Sequence, residues 1–275
     1  MIEKTIAIYV FIDDILNITC HKENEKRRVS DSEIITTAFI AAKYFHGHIE
    51  HALNFVKSTK LMPNMLSKSR FNRRIHSIFN LIIDLFFGIA QVIKDLNISS
   101  EYIIDSFPVP VCKNIRISRS RIIKGKQYRG FKASMREYFY GFTVQVIATV
   151  DGIPVEFAIL PGCYHDIDGI KNMFVNLPEG SSLIGDSAYT DYNMEDDFLN
   201  GENIKLLIDR KNNSKQPHEP WISGLISLRR KNIETMFSKI SYMLPKRIHA
   251  VTEQGFILKV ILFLFVFTLN EAFYK

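Results

Sequence analysis

The spacing of apolar residues changes near residue 98, and this change constrains the fold more than any other feature of the sequence. Before it, the segment SDSEIITTAFIAAKYF repeats apolar residues at helical intervals and begins with Ser and Asp, which favour a helix N-terminus. After it, the apolar runs YGFTVQVIATV and IPVEFAIL flank Asp151-Gly152, a dipeptide typical of tight hairpins. We therefore predict a helical region over residues 1–98 and a mixed α/β domain over residues 99–275.

The N-terminal region contains a second short helix over Ile49–Lys57, a break at Pro63, and a third helix that begins at Ser67 or Ser69. The third helix is basic and follows two helices and a turn, so it is similar to the recognition helix of a helix-turn-helix unit. Basic amphipathic helices are also common on protein surfaces. Its candidate DNA contacts are Lys68, Arg70, Arg73 and Arg74.

The remainder of the chain alternates short apolar runs with amphipathic segments. EYIIDSF, SSLIGD and NIKLLID have the composition of strands. DIDGIKNMFVNL, YNMEDDFLN and the long segment ISLRRKNIETMFSKISYML have helical spacing. Strands followed by strands that alternate with helices predict an α/β fold, a mixed sheet with helices on its faces.

Two aspartates follow apolar runs that are predicted strands. Asp105 comes after the run YII, and Asp186 comes after the run LIG. Sheet enzymes expose reactive groups where strands end, because the preceding apolar residues anchor the backbone. Glu234 lies on the long predicted helix at the border of its buried stripe, with Arg230 one turn earlier. These three carboxylates are the candidate catalytic residues and the candidate metal ligands.

Carboxylates that converge on one point repel one another, and divalent cations make such a cluster tolerable. Hard oxygen ligands suit Mg²⁺ or Mn²⁺. Two such ions about 3.5–4 Å apart stabilise the attacking and leaving oxygens of a phosphoryl displacement. The three carboxylates together therefore predict a two-metal nuclease or strand transferase. An aspartate at a strand end, taken singly, is more often a cap for a turn or a helix.

The segment between Asp105 and Glu137 is strongly basic and contains no acidic residue. Such uninterrupted positive charge is unlike a solvated helix face and favours a phosphate backbone as the partner. Tyr128 and Phe131 lie in the same segment and could add stacking or packing. Some of the cations could instead pair with the acidic middle third of the chain. The candidate DNA contacts here are Lys113, Arg116, Arg119, Arg121, Lys124, Lys126, Arg129, Lys132 and Arg136.

Composition excludes several classes of protein. The 275 residues carry 35 Lys and Arg against 29 Asp and Glu, and 47% are hydrophobic, which is unlike a disordered or fibrous chain. The three cysteines lack the spacing of a disulfide framework or a zinc site and indicate a reducing compartment. In GFILKVILFLFVFTLN, Lys259 leaves too short an apolar run for a membrane span, so we expect a buried core helix. We expect a cytoplasmic protein with no membrane partner.

Four segments resemble the transposases of bacterial insertion sequences, which belong to the DDE class and are related to retroviral integrases. They are IIDSFPVPVCKNIRISRSR, KQYRGFKASMREYFYGFTVQVIATVDGIPVEFAILPGCYHDIDG, LPEGSSLIGDSAYTDYNMEDD and RRKNIETMFSKISYMLPKRIHAVTEQGF. The resemblance covers roughly residues 30–270. It implies a ribonuclease-H-like catalytic domain preceded by a helical DNA-binding region. It assigns the family's first Asp to Asp105, its second to Asp186 and its Glu to Glu234.

The last catalytic helix departs from related groups. Arg230 and Glu234 keep the spacing of the family's Arg–Glu pair, but Ser227 and Ser241 stand where a Tyr and a Lys flank that pair. Lys239 lies nearby and could take the place of the missing lysine. We therefore expect Arg230 and Lys239 to contact DNA.

The resemblance implies a transposase that nicks DNA at the ends of an insertion sequence and transfers the freed 3′ ends to target DNA. Its cofactor would be two Mg²⁺ ions, or Mn²⁺. Its partner would be double-stranded DNA, both the terminal inverted repeats and the target, bound by a homodimer in the cytoplasm at the nucleoid. Two alternatives stay open: a metal-dependent nuclease without strand transfer, and a catalytically silent DNA-binding protein from a decayed element.

Overall fold

The structure is a computed structural model that describes residues 1–132, 136–245 and 247–273. Its contacts divide the chain into two compact units. The first comprises Met1–Phe86, Met243–Ala250 and Gln254–Val266, and the second comprises Phe87–Tyr242, Val251–Glu253 and Phe267–Lys275. The predicted boundary near residue 98 divides a helical DNA-binding region from a catalytic domain, and this division stays a prediction.

The N-terminal region is all helical, as its apolar spacing predicts. Its helices are α1 (Ile2–Ile18), α2 (Asp31–Phe45), α3 (Ile49–Ser58), α4 (Lys68–Ser77) and α5 (Phe79–Leu96). Helix α2 packs against α1, α3 and α4. The nine residues 59–67 between α3 and α4 exceed the short turn of a helix-turn-helix unit. The role of α4 as a recognition helix therefore stays a prediction.

Both ends of α2 follow from local chemistry. The Ser30 side chain accepts a hydrogen bond from the Glu33 backbone N–H, and the Glu33 side chain accepts one from the Ser30 N–H, which forms a capping box. At the other end, Gly47 adopts φ +79° and donates its N–H to the Ala41 carbonyl. The predicted start of this helix is confirmed.

The predicted helix from Ser67 is divided into α4 and α5, which are bent by 58° relative to each other. The break falls at Ile78. The Ser77 hydroxyl donates to the Arg74 carbonyl 2.7 Å away, and such a bond within a helix turn favours a bend. The apolar spacing continues across the break, which is why it does not reveal the bend.

The second unit is built on one mixed sheet of six strands. They are β1 (Glu101–Cys112), β2 (Arg129–Lys132), β3 (Glu137–Thr149), β4 (Pro154–Pro161), β5 (Ser182–Gly185) and β6 (Lys205–Ile208). Strand β1 pairs with β3 antiparallel and with β5 parallel, and β6 continues the sheet beyond β5 in parallel. On its other edge β3 pairs antiparallel with β2 and β4. This mixed sheet confirms the predicted ribonuclease-H-like class.

The predicted hairpin joins β3 to β4. Gly152 takes φ +82°, which favours glycine, and its N–H donates to the Thr149 carbonyl at 2.8 Å. The helices that follow β4 along the chain are α6 (Asp166–Asn172), α7 (Tyr192–Glu202), α8 (Pro220–Met243) and α9 (Glu253–Phe273). Helix α6 is shorter than predicted, because the chain becomes extended at Met173.

Helix α9 is long and apolar enough to cross a membrane by length and composition alone. Nevertheless, 67% of its most apolar window is buried within the protein. From Val260 to Leu269 every residue is buried, on all sides of the helix. A helix that is apolar and buried all round is typical of a protein core, which agrees with the expected core helix.

Candidate active site

Asp105 lies in β1, and Asp186 directly follows the neighbouring parallel strand β5. Ile103 of β1 is opposite Ile184 of β5, and each aspartate lies two residues beyond this last pair. The charge of Asp186 acts on the Asp105 carboxyl group. Neighbouring strands lie about 4.8 Å apart, so the structure brings the two aspartates together. Asp186 directly follows β5, as predicted. The prediction that a strand ends near Asp105 is wrong, because β1 keeps pairing with β3 as far as Cys112.

The Asp105 carboxyl group is in an unfavourable electrostatic environment. Its pKa is raised from 3.8 to about 6, chiefly by burial and to a smaller extent by the charges of Asp186 and Asp166. The ammonium group of Lys132 and the Ser106 backbone N–H act in the opposite direction and lower the pKa. That N–H donates to Asp105 Oδ1 at 2.6 Å. Three carboxylates therefore lie close to one another at this site, and burial makes the ionised form of Asp105 less favourable than in water.

Asp166 is a further carboxylate at this site, and sequence reasoning missed it. The sequence suggests Asp166 as the N-cap of a helix, but the N-cap of α6 is His165 and Asp166 is the first helical residue. Its side chain accepts a hydrogen bond from the Ser106 hydroxyl. Ser106 directly follows Asp105, and the serine in the segment IIDSF was the only signal that could have indicated this contact.

Buried polar groups hold the start of α6 beside the sheet. The Gln145 side-chain amide donates to the Asp166 carbonyl at 3.2 Å and to the Tyr189 hydroxyl at 3.1 Å. Tyr189 is fully buried. Burial raises its pKa well above the usual value, and the neighbouring Asp166 and Asp105 add to that effect. The tyrosine thus remains a neutral hydrogen-bonding group that supports the carboxylates.

Glu234 lies on the part of α8 that covers the Asp105 face of the sheet. Alternate residues of a strand share a face, so Glu101, Asp105 and Phe107 lie on one face of β1. Arg229 of α8 pairs with Glu101 at 2.7 Å, and the rings of Phe237 and Phe107 lie 5.2 Å apart. Glu234 is between these two contacts in sequence, and it is exposed.

The three predicted ligands do not form a closely spaced group. Within the described ranges, the only three His, Cys, Asp or Glu residues whose ligand atoms all lie within 4.8 Å of one another are His21, Glu23 and Asp31. The Asp31 carboxylate already contacts the Arg74 guanidinium, and it lies 3.9 Å from the Arg27 guanidinium. These arginines supply the positive charge that a metal would bring, so we regard this group as an ion-pair network.

Two further candidate DNA contacts on α8 take part in ion pairs. Arg230 binds Asp209, which directly follows β6, with an N–O distance of 2.8 Å. Lys239 binds Glu271 at 2.9 Å. Both cations are partly accessible. Arg230 is one turn before Glu234 and lies towards the carboxyl ends of the parallel strands.

The basic segment between β1 and β3 is mostly exposed. Among the described residues, none of its nine cations forms an ion pair, and eight of them are exposed. Lys132 differs from the other eight cations because it is half-buried, and its ammonium group donates to the Ser106 carbonyl at 2.8 Å. Tyr128 is buried and packs against Tyr140 and Phe142, whereas Phe131 is exposed. The segment therefore presents its charge to the solvent.

The four cations of α4 have different environments. Lys68 pairs with Glu50 at 2.7 Å, and both side chains are largely exposed. Arg74 is mostly buried and pairs with Asp31. Arg70 and Arg73 are exposed and, within the described residues, have no ion pair. The positive charge available on the surface of this helix therefore comes chiefly from Arg70 and Arg73, with Lys68 beside them.

Comparison with models of known protein families gives a match over the sheet and helix α8. The family described as the transposase DDE domain matches residues 97–249, which is more than half of the chain. This range contains Asp105, Asp186 and Glu234. No curated protein and no solved structure matches the chain significantly.

Proposed function

This chain belongs to the transposase DDE domain family, and we propose that it cuts DNA at the ends of an insertion sequence and joins the freed strands to target DNA. The observation that carries the proposal is that Asp105 is buried close enough to Asp186 and Asp166 for their charges to act on its carboxyl group. Burial is the main cause that raises the pKa of Asp105, and the two neighbouring carboxylates raise it as well. A divalent cation would favour the ionised form of such buried carboxylates.

The donor set fits Mg²⁺ or Mn²⁺, because all of the candidate ligands are carboxylate oxygens. Asp105 and Asp186 would hold two ions between them, and Glu234 would complete one ligand shell. When bound, such ions activate a water molecule or a 3′-hydroxyl and stabilise the leaving oxygen. Support for Glu234 comes from its neighbours on α8, because Arg229 pairs with Glu101 and the Phe237 ring packs against Phe107 of β1.

The other residues of the site would bind and orient the DNA backbone. Arg129 and Lys132 of the basic segment line one cavity together with Asp166 and Asp186, so a phosphate backbone bound there would lie close to the carboxylates. Arg230 and Lys239 would contact the same DNA, since each could exchange its carboxylate partner for a phosphate. Arg70, Arg73 and Lys68 would form a second DNA contact in the N-terminal region, with Arg74 supporting their helix.

The proposed chemistry consists of two phosphoryl transfers. In the first, a water oxygen bonds to the phosphorus at an element end, the bond to the 3′-oxygen breaks, and that oxygen leaves as a hydroxyl with a proton from the water. In the second, this 3′-hydroxyl attacks a target phosphodiester, and the target's own 3′-oxygen leaves with the proton. Both steps exchange one phosphorus–oxygen bond for another, so no oxidant and no protein nucleophile is required.

We further propose that the protein acts as a homodimer on DNA, because two element ends must be held together during transfer. As a protein that acts on DNA, it would act at the nucleoid.

An experiment with element ends that have already been nicked separates a transposase from a simple nuclease. The full chain is incubated with Mg²⁺, a labelled duplex that ends in a free 3′-hydroxyl, and a supercoiled target plasmid. We expect labelled DNA covalently joined to the plasmid, and Asp186→Asn should form none. Nicking of intact ends without any joined product would favour a nuclease. Neither nicking nor joining would favour a silent DNA-binding protein.

A further inference from the structure

Two aromatic rings lie side by side on the exposed surface of the β2–β3 hairpin. Phe131 and Tyr138 are cross-strand partners, and their ring centroids are 4.7 Å apart with an interplanar angle of 47°. Phe131 is 52% exposed and Tyr138 is 68% exposed. Large aromatic side chains that remain accessible as a pair indicate a binding surface more often than a folding requirement.

A separate aromatic group adjoins this hairpin and does not include the exposed pair. Tyr128, which directly precedes β2, and Tyr140 and Phe142 of β3 are buried and pack edge to face. The Tyr128 hydroxyl also donates to Glu253 at 2.9 Å. These buried rings anchor the hairpin, so Phe131 and Tyr138 are free to serve another purpose.

The exposed rings line the same cavity as two carboxylates of the candidate site, Asp166 and Asp186. This cavity has a volume of about 700 Å³, and its walls include Phe131, Tyr138, Ser106, Asp166 and Asp186. The aromatic pair is therefore on the wall of the space that the scissile phosphate would enter.

Positive charge surrounds the pair. Arg129 and Lys132 also line the cavity, and Arg136 directly precedes β3 and is exposed. Arg129 and Arg136 have no ion-pair partner within the described ranges. Accessible aromatic rings between cations match a nucleic acid strand, whose bases stack on rings while its phosphates pair with cations.

We propose that Phe131 and Tyr138 form a stacking platform for an unpaired base of the DNA strand beside the reacting phosphate. This inference rests on the proposed function, because it assigns the platform to the same DNA substrate. A base inside a duplex is already stacked and paired, so only a base at an opened end or an extruded base has a free face. The platform would therefore select DNA that is unpaired near the cleavage point.

Fluorescence of 2-aminopurine tests the platform without requiring cleavage. The full chain is titrated, in the absence of divalent metal, with a duplex that carries 2-aminopurine in a short single-stranded end, and with a blunt duplex of equal length. We expect the wild type to quench the probe and to prefer the single-stranded end. The double variant Phe131→Ala, Tyr138→Ala should lose the quenching and roughly 10-fold or more of affinity for that end. Its affinity for the blunt duplex should be unchanged.

Two control proteins make this result specific. Tyr242→Ala removes a ring that is 90% exposed on α8 and does not line the cavity, so it should behave as the wild type. The conservative variant Phe131→Tyr, Tyr138→Phe keeps both rings and should retain the quenching. Quenching by the alanine variant at the wild-type level, or an equal loss of affinity for both duplexes, would overturn the platform.

The same titration separates this inference from the proposed function. If the wild type nicks and joins DNA but does not quench the probe, the platform is wrong and the transposase activity stands. If quenching of the probe requires the rings of Phe131 and Tyr138, but the protein never cuts or joins DNA, the platform stands and the catalytic proposal fails.

Discussion

A buried ion pair between Lys94 on α5 and Glu156 on β4 gives a stability prediction with a defined magnitude. The charged atoms are 2.8 Å apart, and the residues are 3% and 4% exposed. The Lys94 ammonium also donates to the Asn176 carbonyl at 2.7 Å. Burial raises the pKa of Glu156, and Lys94 opposes that rise. Each charge is therefore tolerated in the interior only because the other is present.

Replacing Lys94 with Met leaves the Glu156 carboxylate buried without its cation. Breaking a buried pair in this way costs about 3–5 kcal/mol. For a protein of this size, that loss lowers the melting temperature by on the order of 10 °C. The double variant Lys94→Met, Glu156→Gln removes both charges and should recover most of the lost stability.

The loss of stability in Lys94→Met should depend on pH. Because the pKa of Glu156 is higher in the folded protein than in the unfolded chain, its ionisation costs more free energy in the folded state. The contribution of Glu156 to the free energy of unfolding is fully present below 4.5, the pKa of this carboxyl in the unfolded chain. This contribution is lost as the pH rises through the raised pKa of the folded protein. Lys94→Met removes the charge that lowers this pKa, so its deficit should be small near pH 4.5 and large near neutral pH.

Thermal unfolding of the wild type, Lys94→Met and the double variant, followed by circular dichroism at both pH values, measures these effects. No deficit in Lys94→Met at neutral pH would refute the reasoning. So would a deficit of the same size at both pH values, because Glu156 would then not be its source.

Two pairs of matched substitutions give the remaining predictions. Arg74→Ala should lower the melting temperature, because the Arg74 guanidinium pairs with buried Asp31. Arg73→Ala should leave the melting temperature unchanged and weaken DNA binding in an anisotropy titration. The reverse pattern would contradict these assignments. Asp166→Asn should weaken divalent-metal affinity by about 10–100-fold, as expected for a group that acts through a neighbour, while Glu234→Gln should weaken it more. Metal titrations in which Asp166→Asn has the larger effect would assign the third ligand to Asp166 instead.

The elements that could be predicted from the sequence are those that local chemistry determines. The capping box at Ser30 and the glycine at residue 47 fix both ends of α2. The Asp151-Gly152 turn fixes the pairing of β3 with β4. The sequence indicates Asp105 and Asp186 as candidates because each follows an apolar run, although only Asp186 directly follows the end of its strand.

The remaining features depend on contacts between residues that are distant in sequence. Lys94 resembles any lysine near the end of a helix, and only the fold brings it to Glu156 on β4. Asp166 resembles a helix cap, and only the packing of α6 on the sheet brings it to Ser106. The continuation of β1 beyond Asp105 was missed because Pro108 and Pro110 are unfavourable in a central strand. Tertiary pairing with β3 overrides that preference.

Cleavage by Asp105→Asn tests the central proposal most directly. Wild type and variant are compared with Mg²⁺ on a duplex that contains an element end, and binding of the same duplex is measured without metal. We expect the variant to bind as the wild type does and to form no nicked product, because an amide cannot replace the carboxylate oxygens that face Asp186. Nicking by the variant at the wild-type rate would contradict the proposal that this carboxylate pair performs the chemistry.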